Sequence, residues 1–167
     1  MIKPFDVPEL IEKVKEANTV LIATHINPDG DAIGSALSVY HALTAMGKQV
    51  TLSCADPVPG KLRFLSGAEQ FVQADALLGK TFDLSFAVDA ADAGRIGTIG
   101  DVFFQSPVTV QVDHHPTNPG YAMVNAVDGA AAAAGCVVYR LLKAMECDIT
   151  ADIAKCLYTG ISTDTGN

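Results

Sequence analysis

The sequence predicts an α/β domain of three layers, a mostly parallel sheet flanked by helices. Three observations lead there. Short β-branched apolar runs alternate with segments of helical period along the chain. A length of 167 residues suits one domain with a substantial core. Hydrophobic residues make up 49% and charged residues only 18%, which excludes global disorder.

The elements follow in order. Pro8 to Glu16 reads as an amphipathic opening helix, and Thr19 to Thr24 as a short buried strand. Asp31 to Met46 carries apolar residues at helical spacing and stops at Gly47, the residue type favoured just past a helix end. Gln49 to Ser53 is a second strand, and Pro57 to Gly60 a turn. Phe82 to Val88 and Val108 to Val112 are two more strands, with Tyr121 to Ala126 a candidate edge strand. Gly129 to Glu146, rich in alanine, and Thr150 to Thr163 read as helices. Alternation of this kind gives a mostly parallel sheet. Thr163 to Asn167 reads as a loop, so the chain is expected to be part of a longer one.

Charge and cysteine usage narrow the function classes. Lys and Arg number 11 against 19 Asp and Glu, a net charge of −8, which argues against broad non-specific nucleic-acid binding. An anionic substrate stays open if bound cations supply the positive field. The acids are 14 Asp and 5 Glu, and the short Asp side chain suits tight metal sites. The first residues lack the basic and apolar regions of a leader, and no stretch approaches eighteen apolar residues. Cys54, Cys136, Cys147 and Cys156 show no C-x-x-C spacing and read as thiols in a reducing compartment, the cytoplasm by default.

Parallel sheets place their sites at the carboxyl ends of strands. The first strand runs into His25-Ile-Asn-Pro-Asp29-Gly-Asp31, the Phe82 to Val88 strand into Asp89, and the Val108 to Val112 strand into Asp113-His114-His115. Asp164 sits in the loop read after the last helix. Alone, each has an ordinary reading: Asn27 to Gly30 as a turn, Asp31 as a helix cap, Asp89 and Asp164 as loop residues, Asp-His-His as a structural pair. His41 reads as core or surface, and Asp75, Asp83, Asp101 and Asp148 as loop or solvent residues.

If sheet order brings the strand ends together, His25, Asp29, Asp31, Asp89, His114 and Asp164 converge at one rim. Carboxylates crowded there repel unless divalent cations neutralise them. Mixed His and Asp ligation suits Mn²⁺, Fe²⁺, Co²⁺ or Zn²⁺ better than Ca²⁺ or Mg²⁺. Six ligands are too many for one open ion and fit two, the usual device for phosphoester hydrolysis at about 3.5–4 Å separation. No dinucleotide fingerprint, Walker A loop or nucleophile elbow is present.

His25-x-Asn-Pro-Asp29-Gly-Asp31-Ala-Ile-Gly-Ser, Val88-Asp89, Asp113-His114-His115 and Thr163-Asp164-Thr-Gly closely resemble the four ordered motifs of the DHH phosphoesterase family. Asp-His-His-Pro-Thr-Asn and the first motif are most similar to its nanoRNase/pAp phosphatase branch. RecJ-type exonucleases, family II inorganic pyrophosphatases and cyclic-di-AMP phosphodiesterases share the motifs in other variants.

The resemblance implies a metal-dependent phosphoesterase acting on short oligoribonucleotides or 3′,5′-bisphosphorylated adenosine, with a bridging hydroxide attacking phosphorus in line. It implies two divalent cations, Mn²⁺ first, with Mg²⁺, Co²⁺ or Fe²⁺ as alternatives. His25 and Asp29 would hold one ion, Asp31, His114 and Asp164 the other, with Asp89 bridging. His115 would meet the scissile phosphate, Asp113 would orient an imidazole, and Arg95 would bind a phosphate. The catalytic set implied is thus His115, Asp89 and Asp113, with Arg95 and His115 binding substrate.

Residues 1–167 would form the DHH catalytic domain, and the smaller C-terminal domain of the branch, which grips substrate, is expected to be absent. Weak or absent turnover on small nucleotides follows from that. Pyrophosphate, polyphosphate or a cyclic dinucleotide are the alternative substrates, and a non-catalytic nucleotide-binding module the alternative class. The partner expected is a small nucleotide or short single-stranded oligonucleotide, with no membrane and a homodimer left open.

Overall fold

The computed structural model describes residues 7–166; the leader reading of residues 1–6 and the tail residue 167 lie outside them. Six strands form one sheet: β1 (Thr19–Thr24), β2 (Gln49–Ser53), β3 (Phe71–Val72), β4 (Leu84–Val88), β5 (Val108–Asp113) and β6 (Val124–Val127). Their order is β3-β2-β1-β4-β5-β6, and every pairing is parallel. The chain therefore builds outward in one direction from β1, then returns to its other side with β4. Between β1 and β4 the order reverses, which opens the crevice where such sheets bind ligands.

Five helices complete the layers: α1 (Val7–Glu16), α2 (Gly30–Ala45), α3 (Gly100–Gln105), α4 (Ala134–Ala144) and α5 (Ala151–Thr165). Side chains alternate across the pleat. Val20 and Ile22 of β1, Leu84, Phe86 and Val88 of β4, and Val110 and Val112 of β5 face a large core shared with α1, α2, α4 and α5. Leu21, Ala23 and Ala87 face a smaller core closed by Ile96, Ile99 and Phe103, from the 3₁₀ segment Ala93–Ile99 and α3. Two helices of the larger core, α2 and α5, carry the candidate ligands Asp31 and Asp164.

α2 is buried along most of its length because it lies between the sheet and α5. Glycines make that approach fit. A methyl group on Gly34 would collide with the Cys156 carbonyl oxygen, and one on Gly160 would stand 2.8 Å from Asp31 Oδ1. Gly30 is equally confined, 2.8 Å from the Thr163 side-chain methyl.

The predicted strands and helices are present, with shifted ends. The helix read from Asp31 begins at Gly30, because Asp29 caps it: Asp29 Oδ1 accepts from the Asp31 and Ala32 amides at 3.0 and 3.1 Å. The strand read from Phe82 begins at Leu84, since Asp83 Oδ2 turns back to accept from the Asn18 and Thr19 amides. Asp83 is thus a tie between chain segments and not only a solvent residue. The strand read from Tyr121 begins at Val124 and lies at the sheet edge, as expected.

Two readings need correction. The helix read from Gly129 starts only at Ala134, and its alanine run forms a turn in which the Ala131 amide donates to Asp128 O. Alanine propensity yields there to a cap supplied from α2: the Ala134 and Gly135 amides donate to the Asp31 carboxylate at 2.6 and 2.9 Å. Thr163 and Asp164, read as loop, lie in the last turns of α5, which ends at Gly166 with φ +77°. β3, α3 and the 3₁₀ segments escaped the sequence because each is too short to show a period.

Candidate metal centre

Sheet register builds the site. Thr24, Val88 and Val112 stand side by side in β1, β4 and β5. The residues that follow them, His25, Asp89 and Asp113, therefore emerge together at the carboxyl edge. Asp31 and Asp29 arrive from the start of α2, Asp164 from the end of α5, and His114 and His115 from the loop after β5.

Asp89 lies at the centre. Its backbone is left-handed at φ +57°, a conformation that Asp tolerates better than most residues, and its amide donates to Val112 O at 2.9 Å. The residue is 3% exposed. Its two oxygens face different neighbours: Oδ2 is 3.7 Å from His25 Nε2, and Oδ1 is 3.6 Å from His114 Nε2.

Two groups of donors gather on either side. His25 Nε2, Asp29 and Asp89 form one, with Asp29 Oδ1 3.8 Å from the imidazole. Asp31, His114 and Asp164 form the other, with Asp31 Oδ2 and Asp164 Oδ2 3.9 and 3.5 Å from His114 Nε2. Within each group the ligand atoms lie within 4.8 Å of one another. Atoms about 2 Å from a shared ion are about 3–4 Å apart, so each group could hold one cation.

The imidazoles are turned to present a lone pair. His25 Nδ1 sits 2.7 Å from Ile26 O and His114 Nδ1 3.4 Å from Ala131 O. A carbonyl only accepts, so Nδ1 carries the proton and Nε2 faces the carboxylates unprotonated when the ring is neutral. A third grouping of Asp89, His114 and His115 is also close. His115 would enter it through Nδ1, 3.8 Å from Asp89, but that nitrogen is already 2.8 Å from Asp113 Oδ1. His115 therefore stands beside the two groups and in neither.

Two features fit divalent cations. Asp89 Oδ1 is buried and has no hydrogen-bond partner among the described residues. Leaving such an oxygen without a donor costs about 1–3 kcal/mol or more, which a bound cation removes. The protein without ions also recruits protons to spread the charge. Burial, reinforced by Asp31 and Asp29, pushes the Asp89 carboxyl up to about 6. Burial opposes a charge on His25, but Asp29, Asp89 and the Ile26 carbonyl outweigh it and raise the imidazole to about 10. Asp29, paired with that imidazole, is lowered to about 2. Asp31 is raised by burial, in spite of the Gly135 and Ala134 amides.

Arg95 is exposed, and its Nη2 lies 3.4 Å from His25 Nδ1. With Nδ1–H donating to Ile26 O, both atoms of this pair are donors, so the guanidinium remains available to an anion. Its position is fixed by the Ile26 amide, which donates to Arg95 O at 2.8 Å. Asp113 is fully buried and bonded to His115, not His114, so its orienting contact goes to the second histidine.

Sequence reading missed the groups behind Asp113. Asn118 Nδ2 donates to Asp113 Oδ2 at 2.6 Å, and Gln111 pairs with Asn118 in turn. The signal was a glutamine inside the apolar run Val108 to Val112. Ser35, whose hydroxyl donates to Asp31 Oδ1 at 3.1 Å, was also passed over.

The sequence profile of the DHH family, N-terminal domain, matches residues 19–161. The chain belongs to the DHH family. This DHH domain is 38% identical over 161 residues to the bifunctional oligoribonuclease and PAP phosphatase NrnA of Thermus thermophilus, covering 96% of the chain and 47% of that protein. It is 26% identical to the probable bifunctional oligoribonuclease and PAP phosphatase NrnA of Streptococcus mutans, covering 94% of the chain and 49% of the relative. Among solved structures, an exopolyphosphatase-related protein from Bacteroides fragilis superposes with a TM-score of 0.89 at 26% identity, over 99% of this chain and 52% of that one. The DHH domain spans about half the length of the curated relatives it matches. No helix among the described residues is long and apolar enough to cross a membrane.

Proposed function

We propose that this DHH domain is the metal-loading, bond-cleaving part of a phosphoesterase acting on short oligoribonucleotides or 3′,5′-bisphosphorylated adenosine, with Mn²⁺ as the preferred cation. The observation that carries the reading is Asp89, a buried carboxylate with one oxygen toward each donor group. The names of the Thermus and Streptococcus relatives support the substrate class. We assign residues 1–167 to the catalytic unit.

His25 and Asp29 would hold one cation and Asp31, His114 and Asp164 the other, with Asp89 between them. When bound, paired cations stabilise the attacking and leaving oxygens of an in-line displacement at phosphorus. The chain's own residues do the rest. The Ile26 and Ala131 carbonyls hold the two imidazoles in the ligating tautomer. Arg95 offers its guanidinium to a phosphate oxygen, a bidentate match for that geometry. His115 meets the scissile phosphate through Nε2–H when its ring is protonated, a state that burial opposes and the Asp113 carboxylate on Nδ1 favours. Four free thiols agree with a cytoplasmic setting.

Polyphosphate is the second reading, on the strength of the likeness to the exopolyphosphatase-related protein. It shares the metal chemistry and differs in what lies beyond the phosphate.

The test is a calorimetric Mn²⁺ titration of the chain and of its Asp89→Ala variant. Two ions per chain, with the loss of both or of the tighter one in the variant, is the expected result. Binding no tighter than millimolar in the unmodified chain would sink the proposal.

A further inference from the structure

Behind the site, under the loop that follows β5, runs a chain of buried amides. Gln111 projects from β5 and is fully buried, and Asn118 is 3% exposed. The two side chains pair reciprocally: Gln111 Nε2 donates to Asn118 Oδ1 at 2.9 Å, and Asn118 Nδ2 donates to Gln111 Oε1 at 3.2 Å. Gln111 Nε2 also donates to Asn125 Oδ1 at 2.5 Å. Asn118 Nδ2 donates to Asp113 Oδ2 at 2.6 Å, and Asp113 Oδ1 accepts from His115 Nδ1–H at 2.8 Å.

Backbone groups fix the direction of the two asparagine amides, and through them that of Gln111. The Gly120 amide donates to Asn118 Oδ1 at 2.8 Å, so that atom is an oxygen and the other a nitrogen. The Ala122 amide donates to Asn125 Oδ1 at 3.1 Å, and Asn125 Nδ2 donates to Ala122 O at 2.8 Å. With both ends set by the main chain, no amide can flip without leaving a buried donor facing a donor. Asn118 must then present N–H to Asp113. That donor holds Oδ2, which also accepts the His115 backbone amide at 3.3 Å, and leaves Oδ1 aimed at the ring.

We infer that Asn118 is a positioning residue, which acts through Asp113 to lock His115 as the Nδ1–H tautomer and to leave Nε2 as the atom offered to substrate. Gln111 sets Asn118 in the same way, one step further back. Its bearing on catalysis rests on the phosphoesterase reading, in which His115 meets the phosphate. The placement of the proton does not. A network that only filled space would leave the ring's proton undirected, because apolar packing does not distinguish one ring nitrogen from the other.

The experiment is a long-range ¹H–¹⁵N correlation on the metal-free chain labelled at histidine nitrogens, at an alkaline pH where the His115 ring is neutral. His115→Gln assigns its signal. In the unmodified chain His115 is expected as Nδ1–H with Nε2 unprotonated. In Asn118→Ala the ratio is expected to move roughly threefold to tenfold toward Nε2–H, the size of one lost hydrogen bond. His41, 25 residues from its Ser66 partner in sequence and outside the network, serves as the internal control of fold. Gln111→Met, with the same direction and a smaller shift expected, covers the case in which Asn118→Ala does not fold. An Nε2–H form in the unmodified chain overturns the inference, and so does an unchanged ratio in a folded variant. Because neither readout uses metal or turnover, this inference and the phosphoesterase reading fail separately.

Discussion

Asp89 meets three requirements in one residue: a left-handed backbone, burial, and an oxygen toward each donor group. Around it, proton binding and metal binding compete. His25 is raised to about 10, so its extra stability is present below its unfolded value of about 6.5 and is lost as pH rises through 10. Asp89, raised to about 6, likewise contributes below its unfolded value of about 3.9 and loses that contribution as pH climbs through 6. Asp29, lowered to about 2, works in the opposite sense: its contribution is present above about 3.9 and is lost as pH falls toward 2. A cation at His25 must displace a proton across the neutral range. Mn²⁺ affinity should therefore rise about tenfold per pH unit from about pH 7 to about pH 8.5, with one proton released per ion at that group. Calorimetry in buffers of different ionisation enthalpy counts that proton, and a pH-independent affinity would mean that His25 is unprotonated before metal arrives. The candidate ligands were legible because polar residues directly after apolar strands stand out. Asn118 and Ser35 were not, since their roles depend on Asp113 and Asp31, partners that only the folded chain identifies.

At the scale of elements, the seam between α2 and α5 decides where Asp31 and Asp164 stand. An added methyl group on Gly34 would meet the α5 backbone at Cys156 and Gly160, which cannot yield as a side chain would. Gly34→Ala should cost about 2–3 kcal/mol, as overpacking does, and lower the melting temperature by roughly 2–4 °C for each of them. Gly100, at φ −53° and with nothing within 4 Å of an added methyl, is the matched control, and Gly100→Ala should be neutral or slightly stabilising. Thermal melts of the two variants decide it, and equal melting temperatures would contradict a tight seam. Periodicity revealed α2 and α5 because both are long enough to show it. It misplaced the start of α4, where the Asp31 carboxylate on another helix, and not the local alanines, sets the first turn. A cap supplied from a hundred residues away leaves no mark in a local window.

The whole molecule carries a net charge of −8 and concentrates buried carboxylates where the strand order reverses. Cation binding should consequently be felt by the entire fold. Mn²⁺ at about a hundred times its dissociation constant should add about 2.7 kcal/mol per site and raise the melting temperature by roughly 5–10 °C. Asp89→Ala should abolish most of that rise, while K⁺ at equal ionic strength should reproduce none of it; a similar gain with K⁺ would reduce the effect to screening. The α/β class and the parallel sheet were readable from alternation alone, whereas the strand order was not, since no local pattern says on which side of β1 the fourth strand lies. That order is what makes the hydrogen-bonded row through Thr24, Val88 and Val112 work as an address line. It turns three positions far apart in the chain, Thr24, Val88 and Val112, into neighbours, and the next residue on each strand is delivered to the same place. A slip of one residue in any pairing would send a hydrophobic side chain to the rim and a ligand into the core. The precision of the site is thus inherited from the sheet, which sets where each ligand-bearing loop begins.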